Sequence, residues 1–312
     1  MNCIYIGTFI KQRRKELKLT QEQVCSGICD PVTLSRIENG KQAPSKSVIS
    51  ALLQRLGMPE ARYYVLESKN ELEIEALKKD IIACGVTRNV SLGFEKLSQL
   101  ENLTVSDDHL TRQFILRSKA LLGSFDKRYT YDEQIDMLMS AIHLTVPDFN
   151  IEEINKCLYA FDEIKAIIQI ANIYLNLNRN DQAIDIFYQL LKSIYDVLKY
   201  VRNHYREVIT SGKITLLVLY NYARALDLCG RYEDGMKLAK EGRDACIQYG
   251  HYQTLPGCLE IYAECCHFLG MDDESTEAYY QAYYLCKLIG RKEDLEITRN
   301  EAKKYLNIDF KH

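Results

Sequence analysis

Residues 20–45 read TQEQVCSGICDPVTLSRIENGKQAPS, and the fold of the N-terminal region is decided there. Thr20 followed three residues later by Gln23 is a capping-box pattern, in which each side chain bonds the other residue's backbone N–H. A helix is therefore expected from Gln21 through Ser26, with Val24 and Ile28 turned inward. Asp30 then supplies an N-cap carboxylate, and Pro31 takes the first helical position, where its missing N–H costs nothing. The next helix runs from Pro31 to about Asn39, with Leu34 and Ile37 on its inner face. Gly40 suits the left-handed stop beyond it. Ser45 caps a further helix that carries Val48, Leu52, Leu53 and Leu56 on one side and closes at Gly57, and a fifth begins after Pro59. Working back toward the N-terminus, Ile6, Ile10 and Leu17 mark the apolar stripe of a first helix. Arg14 lies on that stripe, where an arginine needs a carboxylate partner.

Two short helices joined by a tight turn, inside a small helical bundle, describe a helix-turn-helix. Gln21–Glu22–Gln23–Val24, then Leu34–Ser35–Arg36–Ile37–Glu38–Asn39–Gly40–Lys41, then Ala43–Pro44–Ser45, resemble the lambda-repressor-like (XRE) helix-turn-helix family over about residues 4–60. The turn is one residue shorter than in many members, and Gly27 sits inside it. The resemblance implies that the third helix, opening at Pro31, enters the major groove of DNA. Val32, Thr33, Ser35 and Arg36 are then left pointing outward. Val32 and the Thr33 methyl suit a thymine methyl, and Arg36 suits a forked contact to guanine. The resemblance places Gln21 on a backbone phosphate, and charge and position make Lys41 and Lys46 phosphate candidates. Glu38 matches the family position that pairs with an arginine of the first helix, which assigns it to Arg14.

Charge supports a division of labour. The 312 residues carry a net charge of −3, but residues 1–66 hold ten Lys/Arg against five Asp/Glu. A basic head of 1–66 on an acidic body of 67–312 is the pattern expected when only the head meets a polyanion. With 15 Gly and 5 Pro, and 47% apolar residues, the composition excludes a collagen-like or disordered chain and argues against a turn-dense all-β fold. No apolar run approaches the length of a membrane span, and no signal-peptide pattern opens the chain. Eleven cysteines without a CxxC pair suggest neither zinc nor a disulfide framework, so the expected compartment is the reducing cytoplasm.

The body repeats itself. After a polar helix over about Glu67 to Ala83, three segments align without gaps around Ala171, Ala223 and Ala263. Each is followed twelve residues later by another small residue, namely Ala183, Gly235 and Ser275. Small residues at such positions let paired helices approach closely. Leu228–Cys229–Gly230–Arg231–Tyr232–Glu233–Asp234 resembles a tetratricopeptide (TPR) helix-turn-helix junction, and Leu269–Gly270–Met271 a second. The spacings of 52 and 40 residues exceed the 34 of that family, so either helices or loops are longer. Lys119 to Leu144, with Tyr131–Asp132–Glu133, resembles a divergent earlier repeat. Stacked pairs would form a right-handed superhelix with a concave face suited to an extended peptide. On that resemblance the lining positions are Gln169, Asn172 and Asn176, then Asn221, Arg224 and Asp227, then Glu264 and His267. Asn and Gln amides can hold a peptide backbone, and Arg224 can clamp a carboxylate. Tyr279, Tyr280, Tyr283 and Tyr284 are expected on one helical face, in the core or at a subunit interface.

No P-loop, HExxH, GxGxxG or GxSxG run is present, so neither enzyme chemistry nor a cofactor or metal is expected. An XRE head followed by a TPR body resembles the RRNPP family of Gram-positive bacteria, which includes Rgg, PlcR and PrgX. The resemblance implies a cytoplasmic homodimer that binds a palindromic operator and takes a signalling peptide in quorum sensing. An alternative stays open at this level: the TPR face binds and inhibits a partner protein, and the head serves only autoregulation.

Overall fold

The computed structural model describes residues 3–57, 69–204 and 212–310. The regular elements among them are helices: α1 (Cys3–Glu16), α2 (Gln21–Cys25), α3 (Pro31–Glu38), α4 (Lys46–Arg55), α5 (Lys69–Thr87), α6 (Val90–Leu103), α7 (His109–Phe125), α8 (Tyr131–His143), α9 (Phe161–Asn176), α10 (Asn180–His204), α11 (Gly212–Leu228), α12 (Tyr232–Tyr249), α13 (Leu255–Phe268), α14 (Asp272–Ile289) and α15 (Lys292–Leu306), with a 3₁₀ turn at Ile154–Lys156. The fold is all-α, a helix-turn-helix bundle followed by TPR-like helical hairpins. None of the described helices is long and apolar enough to cross a membrane. By contact the chain divides into two units, Met1–Ile173 with Tyr195–Thr210, and Tyr174–Ile194 with Ser211–His312. The head–body boundary at 66/67, the helix after Pro59 and the start of the polar helix at Glu67 lie outside the described residues.

In the first unit the helix starts fall where the caps put them. Thr20 and Gln23 form the reciprocal capping box of α2, Asp30 caps α3 with Pro31 in its first turn, and Ser45 caps α4. Gly40 and Gly57 take positive φ of 69° and 65° after α3 and α4. Ile6, Ile10, Val24, Leu34, Ile37, Leu52, Leu53 and Leu56 close into one core, with Leu17, Ile28 and Val48 at its edge. Close approach of α1 to α3 depends on Gly7, where a Cβ would lie 1.8 Å from the Ile37 carbonyl oxygen. Arg13, unremarkable in the sequence, is buried and donates from Nε to the Leu56 carbonyl at 3.2 Å.

The helix-turn-helix bundle packs against the loop after α8 and the start of α9. Arg55, at the end of α4, is buried and donates to the carbonyls of Val24, Ser26 and Thr145, at 3.1, 2.5 and 2.7 Å. Its guanidinium stands 3.7 Å from Glu163, which is buried and accepts from Thr145 Oγ1 at 2.6 Å and from the Ala160 N–H at 2.5 Å. Gln54 Oε1 accepts the Phe161 N–H at 2.8 Å. Gly27 has φ +68°, and a Cβ there would lie 2.2 Å from the Thr145 backbone. That contact is why the short turn carries a glycine. The divergent early repeat is the α7–α8 hairpin, and Thr130 and Glu133 form a second capping box at its turn.

In the second unit α11–α12 and α13–α14 are antiparallel hairpins, with α15 packed on α13 and α14. Their turns are built alike. Gly230 and Gly270 have φ near 70°, and the next N–H reaches back five residues, Arg231 to Leu226 and Met271 to Cys266, each at 2.9 Å. This is the Schellman closure, which needs a left-handed residue at its centre. Asn178 plays the same part before α10, with φ 57° and Arg179 N–H bonded to the Tyr174 carbonyl at 2.8 Å. The small residues twelve apart meet. Ser275 Oγ donates to the Ala263 carbonyl at 2.7 Å, and a Cβ on Gly235 would stand 3.4 Å from the Ala223 oxygen. Long helices account for the wide repeat spacing: α10 has 25 residues and α12 has 18. One expectation is corrected. Tyr279 and Tyr283 are buried, whereas Tyr280 and Tyr284 are 39% and 60% exposed. The four tyrosines form two stripes, because adjacent helical residues point about 100° apart.

Candidate functional site

The helix-turn-helix presents one polar surface. Asp30 caps α3 and accepts from both the Thr33 N–H and the Thr33 hydroxyl, at 2.8 and 2.6 Å. The hydroxyl is therefore committed to the cap, and Thr33 is half-buried. These hydrogen bonds hold the Asp30 carboxyl below the usual range. Val32 is 59% exposed at the head of the helix, an apolar side chain left in solvent. Pro31 and Arg36 are exposed beside it and Ser35 is half-buried. The Arg36 guanidinium has no side-chain partner among the described residues, so its five donors are available.

The rest of α3 is held from behind. Arg14 donates from Nε and Nη2 to the two Glu38 oxygens at 2.6 and 2.8 Å, the pair assigned from the sequence. Gln21 adds its Nε2 to Glu38 at 2.8 Å, so its amide is tied to the same carboxylate while the residue stays half-exposed at the start of α2. Lys41 is exposed beyond α3. Lys46, also exposed, opens α4 and lines a cavity of about 550 Å³ that continues to Lys78, Arg117 and Lys165.

The expected peptide-lining residues fall in both units. Gln169 and Asn172 are half-buried on α9 in the first, and Gln169 Oε1 is a buried acceptor with no hydrogen bond. Asn176 belongs to the second unit and is exposed. On α11, Asn221 is buried and donates to the Leu217 carbonyl of its own helix at 2.8 Å, while Arg224 is exposed. Asp227 lies one helical turn on, buried, accepting from Cys265 Sγ at 3.4 Å. Glu264 on α13 neighbours it, and His267 Nδ1 is 2.9 Å from Asp272 Oδ1.

The structure therefore brings Asp227, Glu264 and His267 together in the second unit, and it adds residues that the repeat alignment missed. Tyr305 of α15 donates to Glu264, and Thr298 donates to Glu260. Burial, reinforced by Glu264, pushes Asp227 up to about 7. Burial likewise raises Glu301 to about 7 and Glu260 to about 8. Around these carboxylates stand aromatic rings. Tyr232 stacks on Phe268 at 4.5 Å, Phe268 meets Tyr305 edge-on at 5.5 Å, and His267 lies 5.2 Å from Tyr305. Residues 292–306 have no place in the aligned repeats, so the repeat pattern does not mark Glu301 and Tyr305. The signal was an acidic and aromatic i, i+4 pair on one more amphipathic helix.

Residues 10–62 match the helix-turn-helix family. The chain thus carries a helix-turn-helix DNA-binding domain. No curated protein is a significant match to the whole sequence. Among solved structures, PlcR from Bacillus thuringiensis in complex with the peptide PapR7 and DNA shares the fold at a TM-score of 0.62 and 21% identity, over 95% of this chain and 99% of that one. PlcR in its apo form gives 0.60 at 18% identity, covering 95% and 98%. The SHP pheromone receptor Rgg2(C45S) from Streptococcus dysgalactiae gives 0.51 at 14%, covering 96% and 98%. At these identities the likeness shows the fold.

Proposed function

We propose that this chain is a peptide-responsive transcription regulator of the RRNPP type. Residues 1–66 read a palindromic operator in double-stranded DNA, and residues 67–312 bind a short signalling peptide and dimerise. The observation that carries this reading is the fold shared over nearly the full chain with PlcR, a protein solved with both a peptide and DNA. The exposed face of α3 supports it. Pro31, Val32, Thr33, Ser35 and Arg36 meet base edges, while Gln21, Lys41 and Lys46 meet phosphates. The reducing cytoplasm, where an imported peptide meets DNA, is the working compartment. The peptide lies along Gln169, Asn172, Asn176, Asn221, Arg224, Asp227, Glu264 and His267. It acts by binding one arrangement of the homodimer better than the other, since a ligand indifferent to the two shifts nothing. That arrangement sets the distance between two heads and so their match to the half-sites.

Selection of sheared genomic DNA by the full-length protein, with and without pooled synthetic peptides, tests the reading. Sharp recovery of a palindrome that changes with peptide, and is lost in Arg36→Ala, is the expected result. Equal recovery of the same sequences by Arg36→Ala would refute it.

A further inference from the structure

The second unit holds more negative charge than its own cations balance. Burial holds Asp227 on α11 and Glu301 on α15 above the ordinary carboxylate range, and Glu264 on α13, charged beside both, adds to the shift of each. Of the basic groups beside them, Arg224 is exposed and forms no ion pair among the described residues. Lys304 is exposed and bonds the Tyr305 hydroxyl at 2.8 Å, not a carboxylate. No trio of described His, Cys, Asp and Glu residues converges tightly enough to hold a metal ion.

Two further observations point to a ligand. Tyr279 is fully buried on α14, and its hydroxyl has no hydrogen-bond partner; burial, with the charges of Glu301 and Glu264 adding to it, pushes its proton affinity up. One Glu301 oxygen is likewise buried and unbonded. The wall is aromatic: Tyr232 and Phe268 stack, Phe268 is 46% exposed, and Tyr305 closes the corner. Carboxylates set among aromatic faces recognise organic cations, since the ring quadrupole adds to the charge. Lys304 already shows the preference in miniature, with its ammonium 4.3 Å above the Tyr305 ring.

Resting on the peptide reading above, we infer that Asp227, Glu264 and Glu301, with Tyr232, Phe268 and Tyr305, form a seat for an ammonium group of the peptide. Two sources share this chemistry, the peptide's free amino terminus and a lysine side chain.

The test uses the full-length protein and a synthetic heptapeptide library prepared in matched forms: lysine against norleucine, and free against acetylated amino terminus. The expected result is retention of one ammonium-bearing form about tenfold or more above its neutral counterpart. Which pair discriminates identifies the source. Glu301→Gln should erase that preference while leaving DNA binding intact, and Glu264→Gln should erase it too. If either variant fails to fold, the wild-type comparison still decides. Peptides retained equally in charged and neutral forms would overturn the ammonium seat and leave the peptide reading standing. No retention of any form by a protein that still binds DNA would overturn both.

Discussion

Arg14 grips Glu38 through two parallel hydrogen bonds, of 2.6 and 2.8 Å, and so locks the last turn of α3 to α1. Glu38 is fully buried, and Arg14 shows only 11% of its side chain. A buried carboxylate stripped of its partner is far costlier than the pair is favourable. Arg14→Ala should therefore destabilise the head by about 3–5 kcal/mol. Arg14→Lys should rescue only part, because an ammonium lacks the planar fork. Urea titration of the intact protein, followed by loss of DNA binding, reads both. A cost under about 1 kcal/mol for Arg14→Ala would contradict the buried-pair account.

Gly27 gives a second prediction. Its φ of +68° disfavours any side chain, and the atoms in the way belong to the Thr145 backbone, which cannot rotate aside. Gly27→Ala should cost more than the roughly 1–2 kcal/mol of a left-handed alanine. It should also loosen the Arg55 contact with the Thr145 carbonyl. Hydrogen exchange is the measurement: amides near Thr145 and Ser26 should exchange faster, with the core of α11–α14 unchanged. Unaltered exchange would show that the turn does not need this contact.

DNA recognition supplies a third. If Arg36 forks onto a guanine, Arg36→Ala should weaken specific binding by about 1–3 kcal/mol and relax preference at one base pair per half-site. Lys41→Ala should instead weaken binding to all sequences alike and lower the salt slope by about one. Competition binding at several salt concentrations separates the two effects. Identical behaviour of the two variants would refute the division into base and phosphate contacts.

The acidic cluster predicts a pH dependence. Burial lifts Asp227 and Glu301 to about 7 and Glu260 to about 8, above the ordinary carboxylate range. The folded state then holds protons that the unfolded chain has released, so stability falls as pH rises. The contribution is full below about pH 4, where both states are protonated, and is lost progressively up to about pH 8. Thermal unfolding of the purified protein should show Tm decreasing from pH 5.5 to pH 8. Glu260→Gln with Glu301→Gln should flatten the trend. A Tm that rises across this window would contradict the sign.

Much of the head was legible in the chain itself, since its determinants are local. A cap needs only its own helix, so Thr20, Asp30 and Ser45 could be read directly. The Arg14–Glu38 pair was legible for another reason: a charge on an apolar stripe demands a partner, and the family pattern supplied one. The repeat was legible because small residues recur at a fixed interval where helices cross. Arg13, Arg55 and Glu163 were not, because each is a charged residue of ordinary spacing whose burial depends on a carbonyl or carboxylate far along the chain. Ile154 to Ala160 similarly gave no periodic signal, although Tyr159 and the Ala160 N–H help to fix the loop before α9.

The sequence by itself determined the helices, their caps and turns, the outward face of α3, and the positions at which helices pair. These follow from backbone propensity and from side-chain spacing, which act over a few residues. Tertiary structure alone decided which charges are buried, that the turn at Gly27 rests on Thr145, and that carboxylates and rings from α11, α13 and α15 converge. Such convergence depends on the angle and offset at which helices pack. Those are set by the combined shape of many side chains, and no single stretch of chain encodes them.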